Sequence, residues 1–177
     1  MSDGMGISNQ LFPRANFCSR RSFMQAVFAT VAISQATISR GSARRETVLF
    51  ICQYGSVKSA ITRELFRRRA LERGVQVTAI SRGIALESHL APQLRATLAV
   101  DGIDPERDGQ HQLTKADLHY ANMTVILDPL PKDWKAKRIH DWTDIRSFNQ
   151  FYESEKPRVL ARIDQLLDEI VAQTHHR

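Results

Sequence analysis

The tightest restriction on the fold comes from residues 47–59, where an apolar run meets a cysteine and a turn-rich loop. Thr47 to Ile51 is a short continuous run with β-branched residues, which is typical of a buried strand. Cys52 ends that run, and a helical pattern begins near Ser59. A loop between a strand and a helix can turn several backbone N–H groups toward one point, beside the free N–H groups of the helix start. We therefore predict an oxyanion site at this loop.

Predicted strands and helices alternate along the rest of the chain. Further strands are predicted from Val75 to Ile80, from Met123 to Leu127 and from Arg138 to Asp141. Helices are predicted from Ser59 to Arg73, from Pro92 to Val100, from a capping-box start at Thr114, and from an N-cap at Ser154 with Pro157 in the first turn. Such alternation implies parallel pairing with right-handed crossovers. The predicted fold is α/β, a small doubly wound sheet of about four parallel strands with helices on both faces.

Charge argues against a nucleic-acid partner. The chain has a formal charge of +6, but about half of that excess lies in residues 1–43. The first predicted helix carries four arginines that we expect to face mostly solvent, namely Arg63, Arg67, Arg68 and Arg69. No aromatic residues are interleaved with them on that side, so a solvated helix face is favoured over a nucleic-acid patch.

The first 43 residues are predicted to be a twin-arginine-like signal or a disordered extension, and residues 44–177 to be the folded domain. The tract from Ser19 to Met24 resembles the twin-arginine export pattern, Ser/Thr-Arg-Arg-x-Phe-Leu, and a mildly apolar run too short to span a bilayer follows it. This predicts a periplasmic protein whose partners include the export machinery, with a cytoplasmic location as the alternative. Cys18 would leave with a cleaved signal, so Cys52 would be the only thiol of the mature domain.

The loop from Cys52 to Ser59 carries the candidate chemistry. The field of its N–H groups favours thiolate over thiol, which makes Cys52 a candidate nucleophile. Lys58 adds a positive charge, and the Ser59 hydroxyl is able to donate a hydrogen bond to the sulfur. Tyr54 is expected either to line the mouth of the site or to cover the core. The predicted phosphate-binding residues are Gln53, Tyr54, Gly55, Ser56, Val57 and Lys58.

The apolar tract from Val48, then Cys52, five residues and Lys58-Ser59, resembles the signature of low-molecular-weight protein tyrosine phosphatases and their arsenate reductase relatives. That signature reads as an apolar strand followed by Cys-x5-Arg-Ser. The resemblance extends over about residues 47–172. It implies that Cys52 attacks a phosphate ester to form a phosphocysteine, that Lys58 clamps the phosphoryl oxygens, and that Ser59 stabilises the thiolate. Residues 53–57 would supply the N–H cradle, and no metal or other cofactor is implied.

Two loop residues depart from the family pattern. Lys58 stands where the family has arginine, and lysine offers phosphate a point charge instead of a planar fork. Loss of an oriented transition-state donor typically costs ~10²–10³ in rate. Gly55 stands where the phosphatases usually have an asparagine that braces the loop.

The position of the general acid also differs from the family pattern, because no Asp-Pro dipeptide occurs where the family has one. Asp144 is the first candidate for the acid and Asp141 the second, and in a third alignment Ser147 occupies the position of the acid. Asp128-Pro129 has the expected dipeptide but follows the third predicted strand, which is too early in the chain. General acid catalysis contributes ~10²–10⁴, so a missing acid would weaken turnover.

Three functions are compatible with these residues. The first is a phosphatase of phosphotyrosine or small aryl phosphates, with activity weakened by the departures above. The second is a degenerate oxyanion-binding or regulatory pseudophosphatase. The third is an arsenate reductase that uses an external thiol, because the chain has no cysteine after Cys52 for an internal relay. All three imply a phosphate-bearing substrate or another oxyanion as the partner, and none indicates an oligomeric state.

Overall fold

The computed structural model describes residues 45–175, with no side-chain description for the last of them. Four strands follow the chain as β1 (Glu46–Cys52), β2 (Val77–Gly83), β3 (Met123–Ile126) and β4 (Ile139–Asp141). Four helices alternate with them as α1 (Lys58–Glu72), α2 (Pro92–Val100), α3 (Lys115–Tyr120) and α4 (Phe148–His175). The strands form one sheet in the order β2-β1-β3-β4, and every pair is parallel. The predicted α/β fold with four parallel strands is confirmed.

β1 lies inside the sheet, and all seven of its residues are buried. Val48 and Phe50 belong to the larger apolar core, with side chains of α1, α2 and α4. Leu49 and Ile51 belong to the smaller core on the other face, with Leu118 of α3. Helices therefore cover both faces, and a strand buried on both faces reads as a continuous apolar run.

The prediction that Arg63 faces mostly solvent is wrong, because its side chain is only 1% exposed. Its guanidinium donates to Glu64 Oε1 at 2.9 Å, to Ser81 Oγ at 2.7 Å and to the Pro105 carbonyl at 3.1 Å. A buried charge is tolerated when a counter-charge and hydrogen-bond acceptors surround it. Arg63 therefore joins α1 to β2 and to the segment after α2, instead of forming part of a solvated face.

Some boundaries of the helices and strands differ from the prediction, and others agree with it. The predicted second strand starts two residues early, and β2 continues to Gly83 because its last residues pair with the end of β1. The capping box at Thr114 is confirmed, since the Asp117 N–H donates to Thr114 Oγ1 at 3.2 Å.

The start of the last helix was predicted too late. α4 begins at Phe148, whose side chain is buried in the core, and it contains a non-helical residue at Phe151. Ser154 is therefore inside the helix instead of at its N-cap, and its hydroxyl donates to the Phe151 carbonyl at 3.0 Å. The non-helical backbone of Phe151 marks a kink between two helical segments, and Pro157 lies in the second of them.

The predicted signal, the boundary after residue 43 and Cys18 all lie outside the described residues. Export and periplasmic location therefore stay predictions. Within residues 45–175, none of the helices is both long and apolar enough to cross a membrane.

Candidate active site

Residues 52–58, here called the cysteine loop, join the end of β1 to the start of α1. The neighbours of β1 are β2 on one side and β3 on the other. The chain passes from β1 to β2 in one direction and from β2 to β3 in the other, so the gap between β1 and β3 is the topological switch point. Ligands of parallel α/β sheets bind at the carboxyl ends of the strands beside that point. The fold thus places the cysteine loop where a site is expected.

The sulfur of Cys52 lies among polar groups although the residue is only 3% exposed. The Gly55 N–H donates to Cys52 Sγ at 3.2 Å, and Ser59 Oγ lies 3.0 Å from the same sulfur. The sulfur thus has a backbone donor on one side and, on the other, a hydroxyl that is able to donate a hydrogen bond to it. The structure therefore places Ser59 where the sequence predicted it, while its catalytic role stays a prediction.

The start of α1 is open toward the cysteine loop. Val57 is the N-cap residue, and in the described part of the chain no side chain caps this helix start. Its first turn also contains no acidic residue. The N–H groups at a helix start have no partner within the helix, and the helix dipole places partial positive charge there. This arrangement leaves donors available for an oxyanion.

The first three carbonyls of the cysteine loop accept hydrogen bonds from the segment after β2. That segment donates three backbone hydrogen bonds to the loop: Ile84 to Cys52 at 3.1 Å, Ala85 to Gln53 at 2.8 Å and Glu87 to Tyr54 at 3.4 Å. Gly55 has a φ of +74°, and a Cβ at Gly83 would lie 2.8 Å from the Gly55 nitrogen. This close approach favours glycine at both positions, since a side chain at either residue would separate the loop from β2.

The Lys58 ammonium is held beside the loop by the end of β3. Its Nζ donates to Asp128 Oδ1 at 2.5 Å and to the Leu127 carbonyl at 2.6 Å. The other Asp128 oxygen, Oδ2, accepts the Gln53 N–H at 2.8 Å. One predicted cradle amide is therefore bonded to a carboxylate. The sequence interpretation set Asp128 aside as too early in the chain, but β3 lies next to β1 and brings it to the loop.

The two carboxylates predicted to supply the acid bond to groups outside the cysteine loop. Asp144 accepts two hydrogen bonds from Arg162, each 2.7 Å long, and one from Arg158 at 2.8 Å. The Arg162 hydrogen bonds lower the pKa of Asp144. Hydrogen bonds from the backbone and hydroxyl of Thr143 lower the pKa of Asp141. Carboxyls with lowered pKa values are ionised at neutral pH, so they are poor proton donors. An acid role for either residue stays a prediction.

The third acid position, Ser147, forms part of the entry into α4. Its carbonyl accepts the N–H groups of Gln150 at 3.2 Å and Phe151 at 2.9 Å. Ser147 thus serves the first turn of the helix in this structure.

Sequence analysis missed His89, which follows β2. Its ring lies against Tyr54 with the centroids 5.0 Å apart, and its backbone N–H donates to Ser56 Oγ at 3.2 Å. Tyr54 is half-buried and faces this ring, which agrees with a residue that lines the mouth of the site. The signal that could have indicated His89 is the carboxyl-end rule, by which ligands bind at the carboxyl ends of parallel strands. His89 belongs to the segment that leaves the carboxyl end of β2.

The all-parallel sheet and the cysteine loop at its switch point define an α/β protein of the phosphatase class. The chain belongs to the low molecular weight phosphotyrosine protein phosphatase family, whose sequence profile matches residues 47–161. It is therefore assigned to the phosphatase hydrolases, which act on phosphate-bearing substrates. No curated protein sequence matches the chain.

Solved structures with the same fold have different activities. A low molecular weight protein tyrosine phosphatase from T. tengcongensis is 17% identical, with a TM-score of 0.54 over 70% of this chain and 99% of that one. The YwlE arginine phosphatase from Geobacillus stearothermophilus is 17% identical, with a TM-score of 0.55 over 75% and 97%. A thioredoxin-dependent arsenate reductase from Corynebacterium glutamicum is 19% identical, with a TM-score of 0.50 over 76% and 64%. At these identities the likeness shows the fold alone.

Proposed function

We propose that the chain hydrolyses phosphotyrosine or small aryl phosphate esters through a phosphocysteine at Cys52. The observation that carries this proposal is the environment of the Cys52 sulfur, which receives the Gly55 N–H and the Ser59 hydroxyl beside an uncapped helix start. Those groups would stabilise a thiolate before the reaction, and the free N–H groups of the helix start are available to phosphoryl oxygens during it.

The reaction has two steps. The Cys52 thiolate attacks phosphorus, so that an S–P bond forms while the P–O bond to the leaving group breaks, and the leaving oxygen takes up a proton. Water then attacks the phosphocysteine, which breaks the S–P bond, releases inorganic phosphate and restores the thiolate. A donor that tightens on the phosphoryl oxygens in the transition state accelerates both steps.

Lys58 retains one donor for this purpose. An ammonium group has three N–H donors, and contacts to Leu127 and Asp128 occupy two of them. The third is available to a phosphoryl oxygen. This supports a role for Lys58 as a clamp that offers one hydrogen bond, where the family's arginine offers two in a plane.

The test is turnover of p-nitrophenyl phosphate by the full-length chain. We expect Cys52→Ser to lower phosphate release to the rate without enzyme, because the hydroxyl is a far weaker nucleophile at neutral pH. Cys18→Ser is the matched control and should keep the wild-type rate. Equal rates for wild type and Cys52→Ser would overturn the proposal.

A second function is favoured by one specific contact. The Lys58 ammonium is bonded to the Asp128 carboxylate, which partly neutralises the charge that would clamp the substrate. A degenerate oxyanion-binding or regulatory protein would bind phosphate or sulfate in calorimetry and release none from the aryl ester. Arsenate reduction with an external thiol is less favoured, since a fold shared with arsenate reductases at 17% and 19% identity does not indicate the activity.

A further inference from the structure

Asn149, in the first turn of α4, joins that helix to the segment between β2 and α2. Its side-chain nitrogen donates to the His89 carbonyl at 2.7 Å, and its Oδ1 accepts the Ala91 N–H at 3.0 Å. A side-chain amide has both an acceptor oxygen and N–H donors, so one asparagine can hold a chain at two points. Asn149 thus fixes the backbone of residues 89–91, here called the rim segment.

The rim segment is also bonded to the cysteine loop. The His89 N–H donates to Ser56 Oγ at 3.2 Å, and Ser56 is only 4% exposed. The start of α4 and the cysteine loop are therefore connected through the rim segment, by the Asn149 amide on one side and the Ser56 hydroxyl on the other.

The residues that lead into α4 include the acid candidates. Trp142, Ile145 and Phe148 are 5%, 2% and 1% exposed, so they anchor this segment in the core. The candidates lie at exposed positions beside these anchors, namely Asp141, Asp144 and Ser147. Asn149 directly follows the last anchor, so its hydrogen bonds help to determine where the candidates lie relative to the cysteine loop.

Position decides whether a carboxyl of this segment can donate a proton. Hydrogen bonds lower the pKa of both Asp141 and Asp144. A phosphoryl dianion raises the pKa of a carboxyl within about 4–6 Å, because like charges disfavour ionisation. The substrate can therefore turn such a carboxyl into a proton donor only if the segment is held close to it. A displacement of about 1 Å can lower a rate ~10²-fold.

We propose that Asn149 is a positioning residue that holds the segment after β4 against the cysteine loop, an inference that rests on the proposed phosphatase function at Cys52. It serves the first step, in which the S–P bond forms, the P–O bond breaks and a proton passes from this segment to the leaving oxygen. In the second step the same group takes a proton from the attacking water as the S–P bond breaks, so each cycle restores it. Asn149 acts through the rim segment and Ser56, not on the reacting atoms.

The test compares two esters that differ in their need for a proton. In the full-length chain, Asn149→Ala should lower kcat/KM for phenyl phosphate by about 10²-fold. The loss for p-nitrophenyl phosphate should be less than about tenfold, because its leaving oxygen is stable as an anion and needs less proton transfer. Gln150→Ala is the matched control on the next, exposed residue of α4 and should keep wild-type values.

Asn149→Asp is a milder variant that decides the matter if Asn149→Ala does not fold. It keeps an oxygen for the Ala91 N–H but lacks the donor for the His89 carbonyl. Its loss should again be larger for phenyl phosphate than for p-nitrophenyl phosphate.

Ser56→Ala removes the other end of the connection. The double variant Ser56→Ala/Asn149→Ala should lose about as much activity toward phenyl phosphate as the more affected single variant, because either change releases the same rim segment. Losses that multiply would mean that the two residues act independently, and the proposed connection would be wrong.

Calorimetry with inorganic phosphate separates the possible failures. Asn149→Ala should bind phosphate as the wild type does, because the backbone N–H groups of the loop are unchanged. Loss of phosphate binding, equal losses for both esters, or no loss for either would overturn the positioning role of Asn149 while the function at Cys52 stands. If the wild type itself turned over neither ester, the proposed function would fall, and the role of Asn149 with it.

Discussion

The carboxyl ends of β3 and β4 both lead to an aspartate, and the two aspartates have different surroundings. The Asp128 carboxylate pairs with the Lys58 ammonium and accepts the Gln53 N–H of the cysteine loop. The side chain of Asp128 is 26% exposed and that of Lys58 is 16% exposed. Asp144 meets Arg158 and Arg162 of α4, and its own side chain is 51% exposed. The sequence interpretation favoured Asp144 because of its place in the chain, whereas the geometry favours Asp128 as the residue that acts on the loop.

The difference shows that the partner of a carboxylate decides its role. Asp128 holds an ammonium and a backbone N–H that both belong to the cysteine loop, so it positions groups of the site. Asp144 joins the segment after β4 to the last helix, so it contributes to the structure at a solvent-exposed position. An exposed ion pair contributes little to stability, but a partly buried one can fix geometry that catalysis needs.

Removal of the Asp128 carboxylate should have the largest effect. In Asp128→Ala, the Gln53 N–H and the Lys58 ammonium lose the group that orients them, and we expect kcat for p-nitrophenyl phosphate to fall by about 10²-fold. Inorganic phosphate should bind at least as tightly as in the wild type, because a negative charge beside an anion site has been removed. Steady-state kinetics and calorimetry measure the two effects separately.

The matched control for that variant is Asp144→Ala, for which kcat should change by less than about threefold. If Asp144→Ala lost activity and Asp128→Ala did not, the assignment of roles to the two aspartates would be reversed. A joint loss of turnover and phosphate binding in Asp128→Ala would show that Asp128 maintains the fold of the loop as a whole.

A smaller effect is expected from Lys58→Arg. A guanidinium presents a planar fork that can bond Asp128 and two phosphoryl oxygens together, so kcat/KM should rise by about tenfold. Lys132→Arg, at an exposed position after β3, is the matched control and should leave kcat/KM unchanged. A lower kcat/KM in Lys58→Arg would mean that the loop is built around the shorter ammonium group.

The fold could be predicted because its signals are local. The apolar run of β1, the capping box at Thr114 and the apolar repeat of α4 each follow from a few neighbouring residues. Arg63 could not be predicted as buried, since the sequence pattern does not show that Ser81 and Pro105 would meet its guanidinium. The entry of α4 was missed for a similar reason, because the core contact of Phe148 is a tertiary one.

The candidate site could be predicted only where it is continuous in sequence. Cys52, Lys58 and Ser59 belong to one strand–loop–helix segment, so their spacing indicates a shared site. Asp128 and His89 come from the ends of other strands, and their contacts depend on the order of strands in the sheet. The carboxyl-end rule limits the candidates to such residues, but it does not choose among them.

The smallest expected effect is on stability, and it concerns Asp144. Its pKa is lowered in the folded chain by the Arg162 hydrogen bonds, so the ionised form stabilises the fold at neutral pH. This contribution is present above the ordinary aspartate value of about 3.9 and is lost as the pH falls through the lowered folded value. Because the ion pair is solvent-exposed, Asp144→Ala should cost less than about 1 kcal/mol at pH 7.

Thermal unfolding at two pH values tests the sign of that effect. At pH 7 the melting temperature of the variant should lie at most about 2–4 °C below that of the wild type. This difference should shrink as the pH falls below about 3.9. Added salt should also reduce it at pH 7, since screening weakens exposed ion pairs. If the difference persisted unchanged in acid and in salt, Asp144 would contribute through packing instead of charge, and its contrast with Asp128 would lose its electrostatic basis.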